Sequence, residues 1–342
     1  VLGSDLSARA AEGTSLAGRA SAALVALWLL HGAPSAFSQT QGPGGYPDRP
    51  VRVIVPVAAA GGTDIIARIV LMRLTEVLGR AFVVDNRPGA GGLLGNEIVA
   101  KARPDGYTLL FTYAAHTIVP FIYARVPYDV YRDFAPVTLA GQQPLLLALN
   151  AQVPANTVGE LIKLARAKPD SLNVALATPS SSGALAAEVF KILTHTKMTS
   201  VPFKGGAPAL TALIQNEVQL IFTTPPTIMP HLKSGRVKVL GTSGKERVPY
   251  LPDVPTLAEA GVKDFNTAPW QGVLAPAATP RPIIDYLHAQ IAAALKTPEV
   301  KERFAAQGTD AVGLGPKEFG QMIAQELALN SKVIKTVGMK AD

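Results

Sequence analysis

Four short stretches concentrate the groups that could hold a solute: 59–62 with Thr63, 178–183, 204–206, and Thr223 with Thr224. Glycine lets a backbone amide approach a ligand closely, and serine and threonine hydroxyls add donors that orient a carboxylate without hydrolysing it. Any one stretch reads equally well as a tight turn between elements. Four in one chain point to a donor-rich cleft.

Other chemistries lack their residues. The chain has no cysteine, so disulfides, thiolate nucleophiles and Cys-based zinc or iron–sulfur sites are excluded. Its five histidines, His31, His116, His195, His231 and His288, never fall at the i, i+3 or i+4 spacing that puts two ligands on one helical face. No metal centre and no cofactor are expected. Glycines 89, 91 and 95 stand one residue off the dinucleotide fingerprint. They are separated from their strand by Asn86, Arg87 and Pro88, and no acidic residue stands about 20 positions on to bind a ribose. The G-x-x-x-x-G-K-[ST] and G-x-S-x-G motifs are absent. Ser181 or Ser182, with His116 or His231 as base, leaves an exported α/β hydrolase as the rival reading, though no spacing demands it. The net charge of +7 suits a carboxylate, an anionic surface or nucleic acid alike. Basic residues are scattered and aromatics make up only 6%, so nucleic-acid binding is not expected.

The elements that must position these loops alternate between strand and helix. Val51–Val55 is a β-branched run ended by Pro56, followed by the small-residue loop and a helix with apolar residues at Ile65, Ile66, Ile69, Val70, Leu74, Val77 and Leu78. Thr63 reads as its N-cap, with Asp64 in the first turn, where the helix dipole favours a carboxylate. Strands are expected at 81–84, 107–112, 145–149, 173–177, 199–203, 219–223, 237–242 and 272–275. Helices are expected at 93–102, 158–167, 184–193, 207–216, 282–295 and 316–337. Such alternation indicates parallel sheet covered on both faces, and there is enough of it for two similar lobes. The Gly/Pro-rich stretch 249–269 reads as surface connection.

The first forty residues differ. Arg9 and Arg19 precede an apolar run at 20–30, a helix-breaking 31–34 and the small-residue pair Ala36 and Ser38 two apart, the pattern of an export leader over 1–38. The run is too short to span a bilayer. Residues 39–48 form a linker in this reading, and the product is expected in the periplasm.

Six ordered stretches make the chain recognisable: Tyr46-Pro-Asp-Arg-Pro-Val51, Gly61-Gly-Thr-Asp64, Asp85-Asn-Arg-Pro-Gly-Ala-Gly-Gly92, Pro104-Asp-Gly-Tyr-Thr-Leu109, Val201-Pro-Phe-Lys-Gly-Gly-Ala-Pro-Ala209 and Leu251-Pro-Asp-Val-Pro-Thr256. On these residues it resembles the Bug proteins, the solute receptors of tripartite tricarboxylate transporters, from about 46 to 338. The resemblance implies an α/β, two-lobed type II periplasmic binding protein, a Venus flytrap in which each lobe is a mixed, mostly parallel sheet flanked by helices. Lobe one would comprise 46–144 plus 270–342, and lobe two 145–269. It implies a small carboxylate ligand, integral-membrane transporter subunits as partners, a monomer, and no catalysis. Carried onto matching positions, it nominates Gly61, Gly62, Thr63 and Asp64 on one side of the cleft. Ser181, Ser182, Gly183, Lys204 and Gly205 stand opposite, with Thr112, His116 and Thr223 at the variable end. Two departures matter. Residues 57–60 are small where the family has aromatics and proline, and Thr223 stands where an acidic residue is frequent. The second leans towards a di- or tricarboxylate or aromatic acid rather than an amino acid. Asp64, which would repel a ligand carboxylate, is expected to bond backbone amides or a water, or to cap its helix. A ligand-sensing module serving a membrane partner is the other alternative.

Overall fold

The computed structural model describes residues 42–340 except Asn266. The expected leader over 1–38 and the first residues of the linker lie outside these. In chain order the elements are β1 (Val51–Val55), α1 (Gly62–Leu78), β2 (Phe82–Asn86), α2 (Leu93–Ala100), β3 (Thr108–Tyr113), α3 (Ala115–Ile122) and β4 (Phe134–Gln142). The chain then crosses to β5 (Leu146–Asn150), α4 (Val158–Ala167), β6 (Asn173–Leu176), α5 (Ser182–Thr194), β7 (Thr199–Pro202), α6 (Gly206–Ile214), β8 (Leu220–Thr223), α7 (Pro225–Leu232) and β9 (Val237–Thr242). It returns through β10 (Trp270–Pro276), α8 (Arg281–Lys296), α9 (Pro298–Ala305), β11 (Asp310–Leu314) and α10 (Pro316–Val337).

Two sheets result. The first has the order β11-β4-β10-β3-β1-β2, the second β7-β6-β8-β5-β9. β1 pairs in parallel with β2 and β3, and β6 with β7 and β8. The strands that flank the two crossings run the other way: β10 is antiparallel to β3 and β4, β11 to β4, and β5 to β8 and β9. Antiparallel pairs therefore slightly outnumber the parallel ones, where mostly parallel sheets were expected. A strand that re-enters a sheet from the other lobe needs no right-handed helical crossover, so nothing constrains it to run parallel.

Each sheet is covered on both faces, as the apolar patterning requires. One face of the first sheet packs on α1 and α8 through Val53, Ile66, Val70, Leu74 and Leu287. Its other face carries α2, α3 and α10, with Ile54, Leu110, Trp270 and Phe319 at the centre. The second sheet buries Leu147, Leu149 and Phe222 against α4 and α5, and Leu146, Ala148 and Ile221 against α6 and α7. Ile118 and Ile122 of α3 and Val333 and Ile334 of α10 belong to the same apolar cluster as α5. Besides the two crossings of the chain, the lobes thus share a packed seam. The stretch from 249 to 269 holds turns and one isolated bridge, Thr242 with Thr256.

Candidate functional site

Ligands in open α/β sheets bind beyond the carboxyl ends of parallel strands, where loops enter helices. Both sheets direct such ends at one cavity of about 480 Å³. Gly62 and Thr63 open α1 after β1, Ser182 and Gly183 open α5 after β6, and Gly206 opens α6 after β7. Thr224 caps α7 after β8, and Thr227 lies in its first turn. The opening amides of a helix have no intrahelical carbonyl to meet, and the helix dipole places partial positive charge there. α7 begins with two prolines and so offers hydroxyls in place of amides, Thr224 Oγ1 lying 3.0 Å from Thr227 Oγ1. The crossings add Gln143, Leu145, Pro269, Trp270 and Gln271, the α9–β11 turn adds Gln307 and Thr309, and Ile65, Ile66, Tyr113 and Phe222 give the wall an apolar part. Among the described residues no Lys, Arg, His, Asp or Glu lines the cavity. The site is a neutral, donor-rich pocket at converging helix starts, suited to an anion that needs no discrete countercharge.

The lobes also touch beside it. A Cβ on Gly91, at φ +64°, would lie 3.0 Å from the Ser180 hydroxyl of the other lobe, and one on Gly308 would lie 2.9 Å from Pro225. The cleft is flanked by backbone-close contacts on two sides. Gln143 Nε2 ties the first crossing to the Gln307 carbonyl at 2.6 Å.

Of the residues nominated from the sequence, Gly62, Thr63, Ser181, Ser182, Gly183 and Thr223 come together on the cavity wall. The other six do not line it. Gly61 is the N-cap of α1 and Gly205 that of α6, each one residue back from the glycine that reaches the cavity. Lys204 is exposed. Thr112 is fully buried in β3 opposite Gly272. His116 is 1% exposed in α3, its ring 4.8 Å from Phe134 and parallel to Tyr128. Neither ring nitrogen has a hydrogen-bond partner, and burial pushes the imidazole down to about 3, so it is neutral. Strand β3 ends at Tyr113, and the turn into α3 carries His116 behind the sheet rather than over its end.

Asp64 is turned away from the cavity and buried. It accepts hydrogen bonds from Ala60 N at 2.8 Å, Arg68 Nε at 2.9 Å and Asn86 Nδ2 at 2.9 Å. Burial opposes its ionisation, but the bonds from Arg68, Asn86 and Ala60 prevail and hold the carboxyl below its ordinary range. Asp64, not Thr63, fastens the loop before α1, and the N-cap is Gly61. Thr63 instead lies within the first turn, on the cavity wall.

Ser181 is the N-cap of α5. Its hydroxyl donates to Thr178 O at 2.7 Å and accepts from Ala184 N at 3.2 Å. With that hydroxyl committed to capping and neither His116 nor His231 on the wall, no Ser–His pair is assembled in the cavity among the described residues.

Sequence reasoning missed the three glutamines, Gln143, Gln271 and Gln307, and Thr309. They arrive from the crossings and from a turn after an unanticipated helix, where no strand–glycine–helix signature marks them.

A model of the tripartite tricarboxylate transporter family receptor matches residues 66–339. An R. palustris protein solved with adipate is 35% identical, with a TM-score of 0.75 over 86% of this chain and 99% of that one. MatC from Rhodopseudomonas palustris, solved with bound malate, is 33% identical, with a TM-score of 0.72 over 84% of this chain and all of that one. The periplasmic binding protein BugD is 31% identical, with a TM-score of 0.72 over 86% and 99% of the two chains. These neighbours share the two-lobed α/β fold, and the match runs from α1 to the end of α10. The chain belongs to the tripartite tricarboxylate transporter receptor family.

Proposed function

We propose that this protein is a periplasmic solute receptor that captures a small carboxylate between its lobes and presents it to the membrane subunits of a tripartite transporter, without chemical conversion. The observation that carries the reading is the convergence of helix starts from both lobes on a cavity that no charged side chain lines among the described residues. Such a site stabilises a carboxylate through amides, hydroxyls and dipoles, and closing the lobes removes water that would compete for the same donors. The adipate and malate in two relatives agree with a di- or hydroxy-dicarboxylate or an acid of similar size. The lobes divide at 144/145 and 269/270, the leader over 1–38 directs export, and the receptor acts as a monomer. Gly62, Thr63, Ser182, Gly183 and Thr223 contact the ligand.

A thermal-shift screen of di- and tricarboxylates, amino acids and aromatic acids tests this. A ligand that binds only the folded state at a hundred times its Kd adds roughly 2.7 kcal/mol of stability. A raised Tm with the solute recovered unchanged is the expected result, and no response across the anionic panel would sink the proposal.

A further inference from the structure

The cleft has two unlike ends. β2 and β11 are opposite edges of the first sheet, and the loops beside them meet the second lobe at different places. Gly91, after β2, abuts Ser180 of the loop after β6, whereas Gly308, before β11, abuts Pro225 at the start of α7. α1 follows β1, the neighbour of β2, while α5 and α6 follow β6 and β7, which are adjacent at one edge of the second sheet. The starts of α1, α5 and α6 therefore share the Gly91 end. The start of α7 shares the Gly308 end with Gln307 and Thr309.

These ends offer different groups. At the first, Gly62, Thr63, Ser182, Gly183 and Gly206 line the cavity, and no group among the described residues takes up their amides. At the second, Pro225 and Pro226 have no N–H, and Thr227 gives its amide to the Thr224 carbonyl at 3.1 Å. What remains there is hydroxyl. Thr224 and Thr227 are half-buried on the wall with their oxygens 3.0 Å apart, a bond that uses one of two protons and leaves the other, with lone pairs, for a third group. A carboxylate suits the amide end, where unpaired N–H groups carry the positive poles of three helices. A second carboxylate at the hydroxyl end would give up its water with no Lys, Arg or His on the wall among the described residues. An ammonium there would find no carboxylate. Water fills the end when nothing else does, and an uncharged tail that reproduces its bonds sets that water free. We infer that the solute carries one carboxylate, seated at the amide end, and an uncharged hydrogen-bonding group at its far end, so that an ω-hydroxy monocarboxylate is preferred to the dicarboxylate of the same length. The inference rests on the receptor reading above and narrows the solute within it.

Calorimetric titration with two series tests it: succinate, 4-hydroxybutyrate and butyrate, then adipate, 6-hydroxyhexanoate and hexanoate. In the series that fits, the wild type should prefer the hydroxy acid to both the diacid and the plain acid by roughly three- to tenfold, the worth of one neutral hydrogen bond. Thr224→Val combined with Thr227→Val should bring the hydroxy acid and the plain acid within about twofold of each other. Thr224 makes no side-chain cap bond that the change would break. Thr227→Lys, which brings a cation to that end, should reverse the order, the diacid gaining roughly tenfold and overtaking the hydroxy acid. It stands in if the double variant fails to fold. A diacid bound by the wild type as tightly as the hydroxy acid, a plain acid bound equally well, as a water-filled end would give, an order unmoved by Thr227→Lys, or silence of both series would each overturn the assignment. Silence across the wider thermal-shift panel would bring down the receptor reading as well, whereas a diacid bound in preference would remove this inference alone.

Discussion

Trp270 donates its indole N–H to Glu326 Oε2 at 2.7 Å, fastening the strand that walls the cleft to the C-terminal helix. Thr117 Oγ1 donates to the same oxygen at 3.0 Å, and Asn330 Nδ2 reaches the Thr117 carbonyl at 3.2 Å. Burial pushes the Glu326 carboxyl up to about 7 despite these donors, whose bonds act to lower it. A carboxyl held above its ordinary 4.5 binds its proton more tightly in the folded than in the unfolded chain. The resulting stability is fully present below pH 4.5 and is lost as pH rises through about 7. The whole effect is on the order of 3 kcal/mol at 1.36 kcal/mol per pH unit. Glu326→Gln, which keeps an acceptor for Trp270, should flatten this part of the Tm profile between pH 5 and 8 and raise Tm at pH 8. An identical slope in the variant would assign the pH dependence elsewhere.

His116 loses stability in the opposite direction. Its imidazole is held down to about 3, against an ordinary 6.5, by burial alone. The unfolded chain takes up that proton first, so stability present above pH 6.5 is lost as pH falls towards 3. His116→Phe removes two buried, unpartnered nitrogens from a slot already walled by Tyr128 and Phe134. It should raise stability by about 1 kcal/mol or more at pH 7 and by more at pH 4. Ligand affinity should stay within twofold of wild type, since the ring does not line the cavity. A large affinity loss in a stably folded variant would return His116 to the site.

The two-lobed architecture was legible because its signals are local. β-branching delimits Val51–Val55 and helical periodicity delimits Val158–Ala167 to the residue, and the glycine loops after β1 and β6 mark their cavity ends. The elements that escaped notice lack such signals. β4 carries Pro136 and Gly141 inside it, and α3 and α7 contain Pro120 and Pro230, so each reads as a breaker where tertiary packing in fact decides. The direction of a side chain was harder to read than its element. Thr63 and Asp64 are adjacent, yet one faces the cavity and the other the Arg68–Asn86 cluster.

Asp64 anchors the first loop, and its removal should separate positioning from contact. Its carboxylate holds the amide of Ala60, a non-glycine residue at φ +63°, in a conformation that costs free energy unless the surroundings enforce it. Asp64→Asn gives up the charge that three donors share and should lower stability by about 2–3 kcal/mol. Because the carboxyl is held below its ordinary 3.8, its contribution is present above that pH and is lost as pH falls further. The Tm difference between wild type and variant should therefore narrow in acid. A constant difference from pH 7 to pH 3 would show that the carboxylate charge is not what fixes the loop.

Two glycines on facing walls of the cavity should respond in opposite ways. A Cβ on Gly62 meets nothing within 4 Å, so the space it would enter is the cleft itself. A Cβ on Gly183 would collide with the Phe222 carbonyl, which is backbone of β8 and cannot rotate aside. Gly62→Ala should therefore keep or slightly raise Tm, alanine being the better helix former by up to about 1 kcal/mol. Affinity should fall at least tenfold, and Gly62→Leu should abolish binding in a protein that still folds. Gly183→Ala should instead lower Tm by several degrees before any ligand is added, because α5 must shift off the sheet to admit one methyl group. Calorimetry and melting curves on the purified variants read both effects independently. If Gly62→Leu bound its carboxylate as the wild type does, the loop after β1 would not be part of the clamp, and the anion would have to be held by the second lobe alone.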